Sequence, residues 1–370
     1  MDNFVMTPYK VEGKIDYDVL IKNFGITPID EALEARLKKY TGELHFFLRR
    51  KIFFAHREMN WLLDQYEDGN PFYIYTGIAP SAGMTVANLI PFMMAQWLQS
   101  KFDVEVYIQI PDEEKFFSRN IDLETTNRLA HEAALDIMAL GFKKQKTKIF
   151  IDTEYAGVLY KQAARVAKRI TVSEVKDAFG IDNSANIGWT FYTSMQAVPA
   201  FLKSVEEGKN VPCLIPLGVD QDVHFRLARD VIEKMGYYKP AILHSKFMPG
   251  LNGSPKMSGS DPNNTIYLSD TPEIVEKKVN KAITGQQPTA ELQKKYGGDP
   301  EKCAVCQYNK YMFEPDDKKL EEIFEAERNG TLLAGEHKKD LIKKINAFLA
   351  TINRRKAYLQ DRMDDFLVTD

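Results

Sequence analysis

The chain has 370 residues, 44% of them hydrophobic and 27% charged, with a net charge of −3. This is the balance of a soluble globular protein with a sizeable core, and the length favours two or three domains. The bulk charge gives no argument for a nucleic-acid partner, so any such partner must be read from local features. Three cysteines are too few for a disulfide framework. The N-terminus has no apolar signal core, and no run approaches the roughly 18 to 20 apolar residues that span a bilayer. A reducing, cytoplasmic setting and no membrane partner are expected.

Residues 1–66 read as a helix-rich appendage. A short helix is expected at Tyr17 to Asn23, and Asp30 to Leu63 is rich in helix-forming patterns. The second stretch carries Arg49, Arg50, Lys51, Phe53, Phe54, His56 and Arg57. It reads as an amphipathic helix with a solvated basic face, or else as a surface for a phosphate or RNA backbone. From Pro71 strands and helices alternate. Strands are expected at Phe72 to Thr76, Val104 to Ile110, Lys148 to Ile151, Val211 to Val219 and Ala241 to His244. Helices fall between them, one marked by Val86, Leu89, Ile90, Met93 and Trp97 at helical spacing. The pattern predicts an α/β domain over 67–262 with a Rossmann-like parallel sheet and helices on both faces. Ligands of such sheets bind beyond the carboxyl ends of the strands. Thr76 to Asn88, Gln109 to Glu114 and Gly218 to Asp222 all lie at such ends.

Beyond Asp261 the strands stop, and 263–370 reads as an all-helical domain. Its last helix, Lys338 to Phe366, has Leu341, Ile345, Leu349 and Ile352 on one stripe and Lys343, Lys344, Arg354, Arg355 and Lys356 on the other face. This helix could also pack back on the sheet domain. Cys303 and Cys306 form a lone CxxC. Zinc needs two more ligands, and neither a second cysteine nor a histidine pair is near in sequence. Thiols packed in a helix are the expectation, with no metal.

Two segments carry chemistry. In YTGIAPSAGMTVAN, Tyr75 to Asn88, a strand passes through Gly77 and Gly83 into a helix. A helix N-terminus presents N–H groups and a positive dipole end, which suits phosphate. Thr85 and Asn88, three apart, can share one face. In SPKMSGSDP, Ser254 to Pro262, one lysine sits among three serines and a glycine. A mobile loop with one cation can clamp a leaving pyrophosphate.

Taken together, MTVAN resembles the HIGH-type first motif of class I aminoacyl-tRNA synthetases, and KMSGS their KMSKS loop. Between and around them, YIQIPDEEKFF, SMQAVPAF, LIPLGVDQDVHFRLARD, GYYKPAILHSKFMPGL and KMSGSDPNNTIYLSD are similar to the tryptophan-specific family of the archaeal and eukaryotic branch. The resemblance implies a tryptophan–tRNA ligase with two steps. Tryptophan attacks the α-phosphorus of ATP, which is used with Mg2+, and the 2′-hydroxyl of the tRNA then attacks the adenylate. It implies that ATP meets Gly77, Thr85, Ala87, Asn88, Gly218, Lys256, Met257 and Ser258, with Lys256, Thr85 and Asn88 as the catalytic phosphate ligands. It implies that tryptophan meets Tyr75, Gly77, Gln109, Glu114, Gln196 and Gln221. Tyr75 and Gln109 would hold the indole N–H, and the last three would surround the ammonium and carboxylate. A homodimer is implied too, paired through an insertion at about 112–200, with tRNA(Trp) bound by an anticodon-binding domain at 263–370.

The residue chemistry agrees. Indole offers one donor, so its reader must be an acceptor, such as a Tyr oxygen or a Gln carbonyl. A tyrosine-specific relative typically has an Asp seven residues after a tyrosine, where this chain has Pro199 after Tyr192. Many members of the branch have His, Gly and His where this chain has Thr85, Ala87 and Asn88, and usually Thr at Pro111. The family's Gly lets the nucleotide lie on the helix backbone, and Ala87 adds a methyl there. Two alternatives therefore stay open: a synthetase-like protein with weakened or lost catalysis that binds tryptophan or tRNA, and an adenylate-forming enzyme with another acceptor.

Overall fold

The computed structural model describes residues 4–7, 10–13 and 15–370. A two-stranded antiparallel hairpin joins β1 (Phe4–Thr7) to β2 (Lys10–Gly13). The main sheet has seven strands: β3 (Thr27–Pro28), β4 (Phe53–Arg57), β5 (Tyr73–Gly77), β6 (Val106–Ile110), β7 (Thr147–Ile151), β8 (Cys213–Gly218) and β9 (Ala241–Ser245). Their order is β3-β4-β9-β8-β5-β6-β7. The strands from β5 to β9 pair in parallel, while β4 runs antiparallel to β9 and β3 to β4. The chain moves outward from β5 through β6 to β7, then crosses to β8 and β9. The order reverses between β5 and β8, where an open α/β sheet binds its ligand.

That junction is held open by sequence. β5 and β8 pair only at Tyr73–Cys213 and Ile74–Leu214. Pro216, two residues further along β8, has no N–H to offer its neighbour. The ladder stops, and the Thr76 hydroxyl bridges to the Pro216 carbonyl at 3.1 Å instead. The strand ends part where the candidate site lies.

Alternate side chains of each strand enter opposite cores. Ile74, Val106, Ile108, Leu214 and Leu243 face one cluster, which includes Leu89, Phe92 and Leu98 of the helix Leu89–Phe102. Tyr73, Tyr75, Tyr107, Cys213 and Ile215 face the other, with Leu159, Tyr192, Phe201 and Phe225 from the opposing helices. Both faces are covered, so β6 and β8 read as largely apolar runs, with Gln109 the polar exception in β6.

The appendage expected over 1–66 is not a separate unit, although part of its first 14 residues lies outside the described ones. Its β3 and β4 complete the sheet. Phe53 to Arg57 is a strand rather than part of a helix, and its first four residues are buried. Nor is the basic run a solvated face. Arg49 and Arg50 both bind Asp317, at 2.5 and 2.7 Å, and Arg57 binds the buried Asp222.

The C-terminal region contains the helices Pro272–Asn280, Ala290–Tyr296, Ala304–Tyr308, Asp317–Arg328 and Ala334–Leu359. Val275, Val305, Leu341, Ile345 and Leu349 belong to the same core cluster as Ile74 and Val106, so apolar packing is continuous across residue 262. The long helix also docks onto the helix Leu123–Met138: Lys356 pairs with Asp136 at 2.5 Å, and Arg355 donates to the Ala139 carbonyl at 3.0 Å. The chain then runs along the outer edge of the sheet. The Ile149 N–H donates to the Phe366 carbonyl at 2.8 Å and the Val368 N–H to the Ile149 carbonyl at 2.9 Å. The Asp370 carboxylate accepts from the N–H groups of Gly157 and Val158 at 2.7 and 3.2 Å.

Candidate active site

A cavity of about 290 Å³ opens at the parted ends of β5 and β8. Its wall contains Tyr75, Gly77, Ala87, Asn88, Gln109, Glu114, Gln196, Gly218, Gln221, Lys256 and Met257, so five distant segments meet there. Gly77 is dictated by sterics, because a Cβ there would stand 2.5 Å from the Gln109 carbonyl oxygen on β6. Gly218 is similar, since a Cβ would lie 2.8 Å from Asp220 Oδ1.

At the floor of the cavity three polar side chains form a directed chain. The Tyr75 hydroxyl lies 2.6 Å from Gln109 Oε1 and 3.1 Å from the Gln196 carbonyl. Gln109 Nε2 donates to Asp152 Oδ2 at 2.7 Å. Asp152 therefore fixes the amide with nitrogen away from Tyr75 and oxygen toward it. Burial, with the Asp152 charge adding to it, keeps the Tyr75 phenol protonated far above its usual range. The hydroxyl proton goes to Gln109 or Gln196, so the phenolic lone pairs face the cavity as an acceptor. Behind them, burial pushes Asp152 up to about 7 against the hydrogen bonds from Glu113 and Gln109, and burial with the Asp152 charge holds Glu113 well above the carboxylate range. Neither Asp152 nor Glu113 has a role in the sequence reading: Asp152 lies outside the motifs, and Glu113, although inside YIQIPDEEKFF, is not among the pocket residues that the resemblance implies.

The opposite wall is acidic and acceptor-rich. Glu114 is buried and, with Lys115 2.5 Å from its Oε2, reaches the cavity from the helix Asp112–Ser118. Gln196 Oε1 is buried and has no hydrogen-bond partner among the described residues. An orphaned buried acceptor costs free energy unless a ligand supplies a donor, and an ammonium would satisfy both groups. Gln221 closes this side from the turn Val219–Gln221. Next in sequence, Asp222 accepts from Arg57 at 2.9 Å through both oxygens and lies 2.7 Å from His244 Nε2. Burial opposes ionisation there, but the bonds from His244 and Arg57 outweigh it and bring Asp222 down to about 2. His224, also in the wall, is pushed down to about 3 by burial with help from Lys115, so it is neutral.

At the phosphate end, Lys256 Nζ donates to Asp220 Oδ2 at 2.6 Å and lies 4.9 Å from the centre of the Phe247 ring. Asp220 is a third residue to which the sequence reading gave no role. Met257 is buried, its N–H bonded to the Met248 carbonyl at 2.7 Å, and anchors the loop. Ser258 is exposed, pairs with Ser260 at 2.8 Å and does not line the cavity. Asn88 and Ala87 face the cavity, but Thr85 does not. Thr85 caps the turn Val86–Asn88: its hydroxyl and N–H both donate to Asn88 Oδ1, at 2.8 and 2.9 Å. The expectation that Thr85 and Asn88 both aim donors at one anion therefore needs correcting. Thr85 is spent on Asn88, and it leaves Asn88 Nδ2 as the available donor. The Val86 N–H is likewise taken, by the Ile266 carbonyl at 3.0 Å. That bond ties the first motif to the strand-like segment after the lysine loop.

One expectation fails in space although it held along the chain. Cys303 and Cys306 do have two further metal-capable neighbours, Glu327 and His337, from other helices.

The sequence model of the family described as tRNA synthetases class I (W and Y) matches residues 67–350, and the chain belongs to this family. The relatives it resembles are tryptophan enzymes. A tryptophan–tRNA ligase of Saccharolobus solfataricus is 46% identical over 96% of this chain and 93% of its own length. One of Pyrococcus horikoshii is 44% identical over 100% and 95%. Among solved structures, the tryptophanyl-tRNA synthetase of Plasmodium falciparum superposes with a TM-score of 0.90 at 40% identity, covering 95% of this chain and 97% of that one. That of Encephalitozoon cuniculi, bound to tryptophan, gives 0.88 at 35% identity over 96% and 98%.

Proposed function

We infer that the chain is a tryptophan–tRNA ligase, which activates L-tryptophan with ATP and transfers it to tRNA(Trp). The observation that carries the specificity is the relay Tyr75–Gln109–Asp152, which turns acceptor oxygens toward a lone N–H donor. Phenylalanine would leave that acceptor unpaired and be rejected strongly. Tyrosine would need an acceptor for its hydroxyl at the position of Pro199, which has no polar side chain and opens the helix Pro199–Glu207. Glu114, the orphaned Gln196 Oε1 and Gln221 receive the ammonium and carboxylate.

In the first step the tryptophan carboxylate forms a bond to the α-phosphorus as the bond to pyrophosphate breaks. No proton must move, so catalysis is positioning and charge stabilisation. Lys256 leaves Asp220 for the departing pyrophosphate, joined by Asn88 Nδ2, while Thr85 positions Asn88. Gly77, Ala87, Gly218 and Met257 shape the nucleotide site, with Ser258 at its outer rim. Mg2+ would be carried in on the phosphates of ATP and would there offset the charge of the leaving pyrophosphate.

A homodimer fits the distribution of exposed apolar groups. Of the nine large exposed hydrophobics among the described residues, four — Phe116, Tyr160, Val172 and Ile187 — fall within 112–200. No helix among the described residues is long and apolar enough to cross a membrane, and the three cysteines are free thiols, which suits the cytoplasm. The test is pyrophosphate exchange with tryptophan, tyrosine and phenylalanine, followed by charging of purified tRNA. Exchange that depends on tryptophan alone, with charging of tRNA(Trp), supports the reading. Equal exchange with tyrosine, or none with any of the three, refutes it.

A further inference from the structure

We propose that Cys303, Cys306, Glu327 and His337 form a structural zinc site in the helical region, distinct from the active-site cavity. One ligand atom from each lies within 4.8 Å of every other, and all four residues are buried. They come from three helices. Cys303 and Cys306 open Ala304–Tyr308, Glu327 ends Asp317–Arg328, and His337 begins Ala334–Leu359. A tetrahedral zinc, with bonds of roughly 2.3 Å to sulfur and 2.0 Å to nitrogen or oxygen, holds its ligand atoms about 3.3 to 3.8 Å apart. A contraction of about 1 Å at the widest pair therefore completes the set.

The polar atoms of the cluster are aimed inward and left over. His337 Nδ1 and Glu327 Oε1 are buried and have no hydrogen-bond partner among the described residues. The contact between His337 Nδ1 and Glu327 Oε2, at 3.4 Å, is too loose to satisfy either group. The outer atoms, by contrast, are held. Gln286 Nε2 donates to Glu327 Oε2 at 2.7 Å and Asn309 contacts His337 Nε2 at 3.3 Å, while among the ligand atoms Cys303 Sγ accepts one weak bond from the Cys306 N–H at 3.5 Å. Support of outer atoms with inner atoms left bare is how metal ligands are oriented. With the metal on Nδ1, Nε2 carries the ring proton. Asn309 then presents its oxygen to that proton, at the expense of its 3.1 Å bond to the Val305 carbonyl and of the 3.2 Å bond its oxygen accepts from Lys344, which keeps Glu314 as a partner.

The donor set selects the metal. Two thiolates, an imidazole and one carboxylate suit zinc, whereas Mg2+ and Ca2+ take oxygen ligands alone. Four protein ligands leave no open position, so the site is structural rather than catalytic. It clips together the starts of two helices and the end of a third, in the part of the chain that the sequence alone left without a fastening.

The test uses full-length protein made in zinc-containing medium and purified without chelator. Elemental analysis should find about one zinc per chain, as a closed four-ligand site binds. Cys306→Ser and His337→Gln should lose it, while Cys213→Ala, in β8, keeps it. Because a variant can fail by misfolding, the wild-type protein is also stripped and refilled. Stripping should lower the melting temperature and zinc should restore it. Cobalt should give the sulfur-to-metal charge-transfer band and the visible bands of a tetrahedral thiolate site. Pyrophosphate exchange by the two variants, retained at the assay temperature, would set the site apart from the catalytic centre. Wild-type protein without zinc and without cobalt bands on refilling overturns the proposal. So does iron in place of zinc, or a disulfide between Cys303 and Cys306 in the purified protein.

Discussion

Arg57 lies outside every recognisable motif, yet the structure makes it a support of the tryptophan pocket. Its guanidinium holds both oxygens of Asp222 and also donates to the carbonyls of Phe24 and Gly25, at 2.6 and 3.1 Å. Asp222 follows Gln221 directly, so the ion pair fixes the turn that carries a pocket residue. A carboxyl held at about 2 instead of its ordinary 3.8 is better stabilised when ionised in the folded chain than in the unfolded one, by about 2 kcal/mol. Breaking a buried pair by removing one partner typically costs about 3 to 5 kcal/mol. His244 remains with Asp222 after the change. Arg57→Met, which keeps much of the side-chain bulk, should therefore lower stability by about 2 to 3 kcal/mol near neutral pH. The Michaelis constant for tryptophan should rise as Gln221 loosens. The pH dependence follows from the sign of the shift. A depressed carboxyl contributes fully above its unfolded value and loses that contribution as pH falls toward its folded value. The difference between wild type and variant should thus hold down to about pH 4.5 and shrink steadily below about pH 4. Urea unfolding at a series of pH values measures it. A difference under about 0.5 kcal/mol near pH 7, or one that stays constant down to about pH 3.5, would refute the reasoning.

Gln109→Ala should weaken tryptophan binding by about 1 to 3 kcal/mol by removing the relay's middle member; calorimetric titration matching wild type would refute the pocket assignment. Ala87→Gly should improve binding of a non-hydrolysable ATP analogue, because the Ala87 methyl faces the cavity, while costing at most about 0.5 to 1 kcal/mol in helix stability. Unchanged or weaker binding would mean that the backbone has already adapted to the methyl. Reversing the charges of Lys343 and Arg354, both exposed, should weaken tRNA binding and flatten its salt dependence, with the slope falling by roughly 1.4 to 1.8 for two lost contacts. Pyrophosphate exchange should be unaffected, and an equal loss in both assays would indicate misfolding.

The choice of Lys343 and Arg354 shows where reading the sequence reached its limit. The basic face of the last helix was legible, but its use was not. Lys344 pairs with Glu314 and Asp340, and Arg355 and Lys356 fasten the helix to the sheet domain. The same holds for Arg49, Arg50 and Arg57, whose acidic partners lie more than 160 residues away. Strands β5 to β9 were legible because apolar runs alternated with helical periods. β4 was not, because a short strand buried at four successive residues carries no alternation to distinguish it from a helix turn. In the site, the residues that meet a ligand were legible and those that hold them were not, even where such a residue lies inside a motif, as Asp220 does in LIPLGVDQDV. Asp152 and Asp220 act by holding Gln109 and Lys256, and an isolated carboxylate has no signature until the fold gives it a neighbour. Thr85 was identified as a polar residue at a helix start, but a capping residue and a phosphate ligand share that pattern.

The pairing of residues 366–368 with β7 bears on how the chain is made. An unpaired strand edge is a template for joining another chain. At the far side of the sheet, β3 is only two residues long and offers little to pair with. β7 is a full strand whose cover is synthesised late, for its Ile149 bonds to Phe366 and Val368. During translation the parallel core can assemble with β7 still bare, and it stays bare until residues 366–368 have emerged to pair with it. The interval between those two events is when the nascent protein is most open to association with its neighbours on a polysome. Replacing residues 366–368 so that they cannot pair would act there first, on yield and aggregation, before it touched catalysis.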